Sequence, residues 1–400
     1  MFSNAFFDAR RMTLLAVSVA VLSGCGNSDS PTAAEVLDAE LKVAVGAVGP
    51  GLAAFTLPDE TDLAAIPADP ANPLTAEKVA LGQMLYHETG LATSPNDPAN
   101  SGTYSCATCH HAGAGFKSGV AQGIGEGGQG FGVVGEGRLL SAGLDAAAPS
   151  DSPLRPDVQP VASPTTLNVA YQEVMLWNGQ FGNASNSSSN SGLAPSVLST
   201  PGTPKAENVR GLSGVEIPAV AWLGVHRLSV EGDSLLQTQP EYVQMFASAF
   251  PASTDTLEDA AKAIAAYERT LLANRAPFQQ WLRGDASAMN QQEMRGALIF
   301  FGNGNCVACH AGPALSSQPG ATSDAVFMAV GFADLDTTDP RVHGSVSVAD
   351  SLGRGGFTGN PADNFKFKVP SLYNLVDASF YGPGASFNSV RDVVAYKNAA

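Results

Sequence analysis

Charge is scarce in this chain. Only 14 % of its 400 residues are Asp, Glu, Lys or Arg, and 21 basic residues face 37 acidic ones, a formal net charge of −16. So little positive charge argues against nucleic acid as a partner; it suits a basic redox partner, or plain solubility. Long apolar runs are missing as well. The run at residues 14–22 is too short to cross a bilayer as a helix, so no transmembrane helix is expected. Five cysteines in a chain of this length exclude a disulfide-stapled scaffold. Strand signals are few.

What the chain does have is length, apolar residues and loop formers. Four hundred residues suggest two or three domains, and 44 % hydrophobic residues fit globular cores. The 42 glycines and 26 prolines imply much irregular chain. Helical periodicity marks residues 76–88, with Thr75 as N-cap, then 241–250, 257–274, 291–301 and 389–397. On 257–274, Ala261, Ile264, Ala265, Leu271 and Leu272 share one face. A Gly-rich passage fills 112–164. Its Gly123-Ile124-Gly125-Glu126-Gly127-Gly128 has no strand before it and no helix after it, so it is not a dinucleotide fingerprint. A Ser-, Asn- and Pro-rich stretch at 183–204 reads as a surface insertion.

Four of the five cysteines fall in two matching runs, Cys106-Ala107-Thr108-Cys109-His110 and Cys306-Val307-Ala308-Cys309-His310. Each is C-x-x-C-H, the mark of covalent c-type haem attachment. Two thiols one helical turn apart can add to the two vinyl groups of one porphyrin, and the adjacent histidine then gives the iron a proximal nitrogen. One run could be a redox dithiol or half a zinc site. Two complete runs point instead to two covalently bound haems c, held by Cys106, Cys109, Cys306 and Cys309 with His110 and His310 as iron ligands.

The fifth cysteine closes residues 1–25, which read as an export segment: Arg10-Arg11, the apolar run, then Leu22-Ser23-Gly24-Cys25. This ending resembles a bacterial lipoprotein box, so Cys25 is expected to carry lipid and to anchor the protein in the periplasm. An ordinary cleaved signal is the other reading. Export is required in either case, because bacteria attach c-type haem outside the cytoplasm. Residues 26–60 are expected to form a tether.

Further motifs carry a family resemblance. Leu81-Gly82-Gln83-Met84-Leu85-Tyr86, Ala263-Ile264-Ala265-Ala266-Tyr267-Glu268-Arg269-Thr270-Leu271, Arg295-Gly296-Ala297-Leu298-Ile299-Phe300 and Lys368-Val369-Pro370-Ser371-Leu372-Tyr373-Asn374 resemble, in this order, segments of bacterial di-haem cytochrome c peroxidases. The same superfamily includes di-haem maturases that oxidise aromatic residues on a partner protein. The resemblance runs from about residue 74 to the end, the two low-complexity passages excepted. It implies a mainly α fold of two cytochrome c-like helical haem domains with long irregular loops, at 61–236 (peroxidatic) and 237–400 (electron-transfer). It also implies that Trp177, in Leu176-Trp177-Asn178-Gly179-Gln180, bridges the haems, against the plainer reading of a core aromatic.

Three departures from the family pattern bear on function. No histidine occurs between His111 and His226, so the histidine that blocks the first iron in many members is missing; His111 adjoins the proximal ligand and faces the wrong way. The asparagine that binds inter-haem calcium is replaced by Ala162 in Ala162-Ser163-Pro164-Thr165, leaving calcium only backbone carbonyls and water. Where the peroxidases carry a distal acid, this chain has Gly224-Val225-His226-Arg227-Leu228, preceded by Glu216. Imidazole can move a proton between the peroxide oxygens and guanidinium can stabilise departing hydroxide, so His226, Arg227 and Glu216 are the distal candidates. A solvated His-Arg pair at a helix end is the alternative. The last helix offers Tyr396 and Lys397, with no methionine, as sixth ligand to the second iron; Tyr381 and Met328 are fallbacks.

The leading expectation is a peroxidase that reduces hydrogen peroxide to water with electrons from a cytochrome c or cupredoxin. The second is a maturase that oxidises Trp or Tyr on a protein substrate, and the third a non-enzymatic di-haem electron carrier. The denatured protein should retain two haems per chain, measured by pyridine haemochrome. Replacing Cys106 and Cys109 together should leave one and abolish peroxide turnover.

Overall fold

The computed structural model describes residues 30–399, apart from 183, 184, 186, 233, 318, 319, 333, 340, 341 and 345. The export segment and the lipidation site Cys25 lie outside the described residues. The architecture is mainly helical. Its longer helices are α1 (Ala33–Ala47), α2 (Ala76–His87), α3 (Glu216–Val225), α4 (Pro240–Ala249), α5 (Thr256–Thr270), α6 (Gln291–Phe301) and α7 (Val390–Ala399). Two antiparallel ladders complete it, β1 (Gly128–Gln129) with β2 (Leu139–Leu140) and β3 (Phe327–Ala329) with β4 (Lys366–Lys368). No helix among the described residues is long and apolar enough to cross a membrane.

The helices start where short polar side chains cap free amides. Thr75 accepts from the Lys78 amide at 3.2 Å, and Asn290 forms a capping box with Glu293. Ser389, ahead of α7, accepts from the Asp392 amide at 3.1 Å. Helix α5 ends at Thr270, so Leu271 and Leu272 lie past it. The Leu271 carbonyl accepts from the Asn168 amide at 2.8 Å, and the Asn168 side chain takes the Ala273 amide at 2.9 Å. These bonds draw the chain out of helix. Along α5 the residues Ala260, Ala261, Ala263, Ile264, Ala265 and Ala266 are all buried, and the small alanine side chains among them let α2 approach closely. A Cβ on Gly82 of α2 would lie 1.8 Å from the Ala263 carbonyl oxygen, so only glycine fits this crossing.

The helices sort into cores that do not follow the expected domain limits. Leu81, Leu85 and Tyr86 of α2 share one core with Tyr242 of α4 and Ile264 and Tyr267 of α5. Residues 237–271 therefore pack with the first cysteine motif, although they were expected in the second domain. The reason is spatial: the partner of α2 comes late in the chain.

The expected tether is also corrected. Its α1 opens on a Thr32–Glu35 capping box and buries Leu41 and Val45 in a core with Trp281, Met294 and Phe301. Asp38 accepts from the Trp281 indole at 2.8 Å. Fully buried Gln279 bonds the Leu57 amide and the Phe55 carbonyl, each at 2.8 Å. Residues 33–60 are part of the second motif's core.

The 183–204 stretch is not wholly superficial either. Ser187, Ser189 and Asn190 are buried, and Arg354 donates to the Asn190 side chain and the Ser189 carbonyl, each at 2.8 Å.

Gly82→Ala should force α2 and α5 apart and cost about 1–3 kcal/mol or more. Chemical denaturation of the variant against the parent measures this. An unchanged midpoint would show that the crossing is not tight.

Candidate functional site

Cys106–Cys109 forms a single helical turn, closed by the bond from the His110 amide to the Cys106 carbonyl at 3.0 Å. This places the thiols one turn apart. His110 Nδ1 is 3.2 Å from the Phe116 carbonyl. A carbonyl only accepts, so Nδ1 carries the proton and Nε2 keeps its lone pair. Burial pushes the His110 pKa down to about 4, which holds the imidazole in its neutral, ligating form. The second motif repeats the layout: the His310 amide bonds the Cys306 carbonyl at 3.0 Å, and Nδ1 lies 3.2 Å from the Leu315 and Pro370 carbonyls. Burial lowers its pKa too. Both histidines thus have the orientation that haem ligation needs.

A cavity of about 400 Å³ opens beside the first motif, lined by Cys106, Cys109 and His110 and, across from them, by Trp177, Trp222 and His226. Its lining is mostly apolar, with few polar groups, as a cofactor site requires. The residues present fit a haem here.

The Gly-rich passage forms part of the cavity wall. Gly125 and Asp157 pair through backbone, with the Gly125 amide donating to the Asp157 carbonyl at 2.8 Å. A Cβ on Gly123 would lie 2.9 Å from the Cys109 sulfur, and one on Gly125 2.3 Å from the Asp157 carboxylate. Glycine is required at both places by close approach. Buried Arg138 closes this wall by donating to the Ile124 and Gly125 carbonyls.

Helix α3 delivers His226. It ends in a Schellman turn, with left-handed Arg227 (φ 55°) donating to the Gly224 carbonyl at 3.1 Å and Leu228 to that of Leu223 at 2.8 Å. The turn sends the two side chains to different partners. His226 Nδ1 lies 2.6 Å from the Asp157 carboxylate, its ring 5.3 Å from that of Trp222. Arg227 goes to Glu126, at 3.1 Å, and does not line the cavity. Burial pulls the His226 pKa down, but the charge and hydrogen bond of Asp157 more than offset it and leave the pKa raised. Burial likewise opposes ionisation of Asp157, whose pKa His226 nevertheless holds below the usual carboxylate range.

Glu216 stands apart from this pair. It is fully buried and paired with Arg269 through two bonds of 3.0 and 2.7 Å, with Asn72 donating at 3.1 Å. It does not line the cavity. The expectation of Glu216 as a distal acid, and of Arg227 as charge stabiliser there, is corrected on these grounds: both carboxylate oxygens and the guanidinium are taken up elsewhere.

A model of the di-haem cytochrome c peroxidase family matches residues 76–287. The chain belongs to this family. Membership implies haem c as the cofactor of the two motifs. The chain is 28 % identical over 346 residues to the cytochrome-c peroxidase IdrP1 of Denitromonas iodatirespirans, covering 84 % of this chain and 75 % of that one. It is 27 % identical over 314 residues to the methylamine utilization protein MauG of Methylorubrum extorquens, with 78 % and 65 % covered. The crystal structure of a MauG-like protein associated with microbial copper homeostasis shares the fold, at a TM-score of 0.54 and 20 % identity, covering 85 % of this chain and 80 % of that one.

In this chain, Trp177 is held at both ends. Its indole donates to the Ala162 carbonyl at 2.8 Å, and its own carbonyl accepts from the Lys368 amide at 2.7 Å. Ala162, at the place of the family's calcium-binding asparagine, accepts the Trp177 indole through its carbonyl; no group of three acidic, His or Cys side chains suited to a metal exists among the described residues. At the second motif, Tyr396 donates to the Val330 and Gly331 carbonyls at 3.1 and 3.0 Å. Lys397 donates to Val330 at 3.2 Å, and its charge is felt by His310. Tyr381 is instead bonded to the Leu375 and Ala378 carbonyls, and Met328 sits in the β3–β4 ladder.

Two site residues were not singled out from sequence. Asp157 is invisible until the Gly-rich passage folds back on it. Glu268 lines the cavity near Cys106, and burial, with the charge of Glu216 added, pushes its pKa up to about 8. Its place in a family motif was the available signal.

The Asp157–His226 pair should leave a signature in stability. The raised His226 pKa gives stabilisation that is full below the unfolded value of 6.5 and is lost as pH rises through the folded value; the lowered Asp157 pKa gives stabilisation that is lost only in acid. Asp157→Asn should therefore cost about 1.5–3 kcal/mol at pH 5–6 and less at pH 9, by denaturant titration. Equal losses at both would show that charge plays no part.

Proposed function

We propose that this protein reduces hydrogen peroxide to water with electrons from a small redox protein, a cytochrome c or a cupredoxin. The observation that carries the reading is the His226–Asp157 pair in the wall of the cavity that holds Cys106, Cys109 and His110. A simple electron carrier has no use for an oriented imidazole facing its haem site. The haems, when bound, supply the iron that meets peroxide and a second iron that stores an electron. Each peroxide takes two electrons and two protons and yields two waters.

The chain's own residues manage the protons and the path. Asp157 fixes the His226 ring through Nδ1, so Nε2 is the atom that takes a proton from peroxide and returns it to the departing oxygen. The charge of Asp157 stabilises the imidazolium between the two transfers. Trp177, in the cavity wall and bonded to the strand that leads to the second motif, carries electrons between the sites. Cys25 anchors the protein to the periplasmic face of a membrane by lipid.

A maturase that oxidises Trp or Tyr on a partner protein is the second reading. It is favoured by Tyr396 and Lys397, in place of methionine, beside the second motif; an oxygen ligand such as tyrosinate lowers the iron potential relative to methionine.

His226→Ala should slow the peroxide reaction in stopped flow by about 10²-fold or more, with haem content and ferric spectrum nearly unchanged. Glu216→Gln should leave that rate within a few-fold and lower stability instead. The reverse result would make the carboxylate the catalyst and His226 a surface group. Steady turnover with reduced cytochrome c supports the peroxidase over the maturase.

A further inference from the structure

Lys368 is 7 % exposed and lies between the two motifs. It lines the same cavity as Trp177, and its amide holds the Trp177 carbonyl at 2.7 Å. Two residues on, the Pro370 carbonyl accepts from His310 Nδ1 at 3.2 Å. A few atoms of chain therefore join the cavity tryptophan to the second motif's histidine, and Lys368 is the charged residue on that route.

Its ammonium meets only neutral oxygens, the Val174 carbonyl at 3.0 Å and the Gln172 side-chain carbonyl. The charged groups packed around it are occupied elsewhere. Glu173 accepts from the Ser188 and Gly320 amides. Arg354, on the other side of the Trp177 turn, donates to the Asn178 carbonyl and the Asn190 side chain. Lys366, on the same strand, is paired with Asp324 and Asp363. Asp157, Glu268 and Asp350 line the cavity; Asp157 is bonded to His226 and Asp350 to Ser347, and burial pushes the Glu268 pKa up to about 8, so it is mostly uncharged at neutral pH. A buried ammonium without a counter-ion is costly to keep charged, and burial brings the Lys368 pKa from 10.5 down to about 7. Burial lowers the Arg354 pKa only to about 10, so Lys368 is the group of the two that changes state near neutral pH.

We propose that Lys368 is a positioning residue for electron passage through Trp177, and that the charge on its ammonium governs how readily the indole gives up an electron. The proposal rests on the reading of Trp177 as the bridge between the sites. A positive charge in the same low-dielectric wall as the indole, on the residue whose amide holds the Trp177 carbonyl, opposes removal of an electron from it; the neutral amine does not. In one passage Trp177 gives an electron to the oxidised first site and regains one from the reduced second site, ending unchanged. Lys368 takes no electron, and the proton it loses goes to water.

The test follows inter-haem electron transfer optically in the holoenzyme, after photoinjection of one electron at the second haem, from pH 5 to pH 9. Haem content and thermal unfolding confirm that each variant is folded. The wild-type rate should rise about tenfold with pH, with its midpoint near 7. Lys368→Met should be fast at every pH and Lys368→Arg slow at every pH, each without the midpoint. Trp177→Phe should be slow throughout. If Trp177→Phe is slow while both Lys368 variants keep the wild-type profile, Lys368 does not act and the bridge stands. If Trp177→Phe transfers at the wild-type rate, the bridge itself fails and the proposal fails with it.

Discussion

The close crossing of α2 and α5, set by Gly82 against the Ala263 carbonyl, is the constraint on which the first site depends. From α2, Tyr86 reaches the His110 carbonyl with a bond of 2.9 Å, so the helix positions the proximal histidine's backbone. From α5, Arg269 grips Glu216, the first residue of α3. The far end of helix α3 is capped by His226. The crossing thus fixes both faces of the cavity, the proximal one through Tyr86 and the distal one through the buried ion pair. Losing one partner of such a pair costs about 3–5 kcal/mol. Glu216 therefore supports the fold around the site from a distance, by holding the start of the helix that ends in the imidazole.

Much of this was legible in the sequence where the signal is local. The cysteine motifs, the capped starts of α2 and α6, and the family segments depend on neighbours a few residues apart, and the structure keeps them. What sequence order hides is pairing across distance. The partner of α2 arrives some 180 residues later, so a boundary drawn near residue 236 separates two helices that share a core. Small and polar residues ahead of helix α1 read as a tether; its buried Leu41 and Val45 gain their meaning from Trp281 and Met294, which are equally remote.

The glycine-rich passage misled for a different reason. Glycine reads as looseness, yet here Gly123 and Gly125 are where backbone passes against the Cys109 sulfur and the Asp157 carboxylate. Irregular backbone inside a protein must still satisfy its carbonyls, and Arg138 does so for Ile124 and Gly125. The same fold brings Asp157 onto His226 and Glu126 onto Arg227. The sequence pairs His226 and Arg227 as neighbours; the left-handed turn at Arg227 separates their tasks.

The two motifs, alike in sequence, sit in unlike surroundings, and the difference bears on their division of labour. The first faces a mostly apolar cavity with an oriented imidazole in its wall. The second leaves Cys306 exposed, close behind exposed Ile299 at the end of α6. Breaking an O–O bond benefits from fixed dipoles and little water, whereas taking electrons from another protein requires an edge near the surface. Trp177, the proposed bridge, is tied by its carbonyl to Lys368 and, through Pro370, to His310. On the proposed reading, the charge on Lys368 in this wall bears on traffic between the sites.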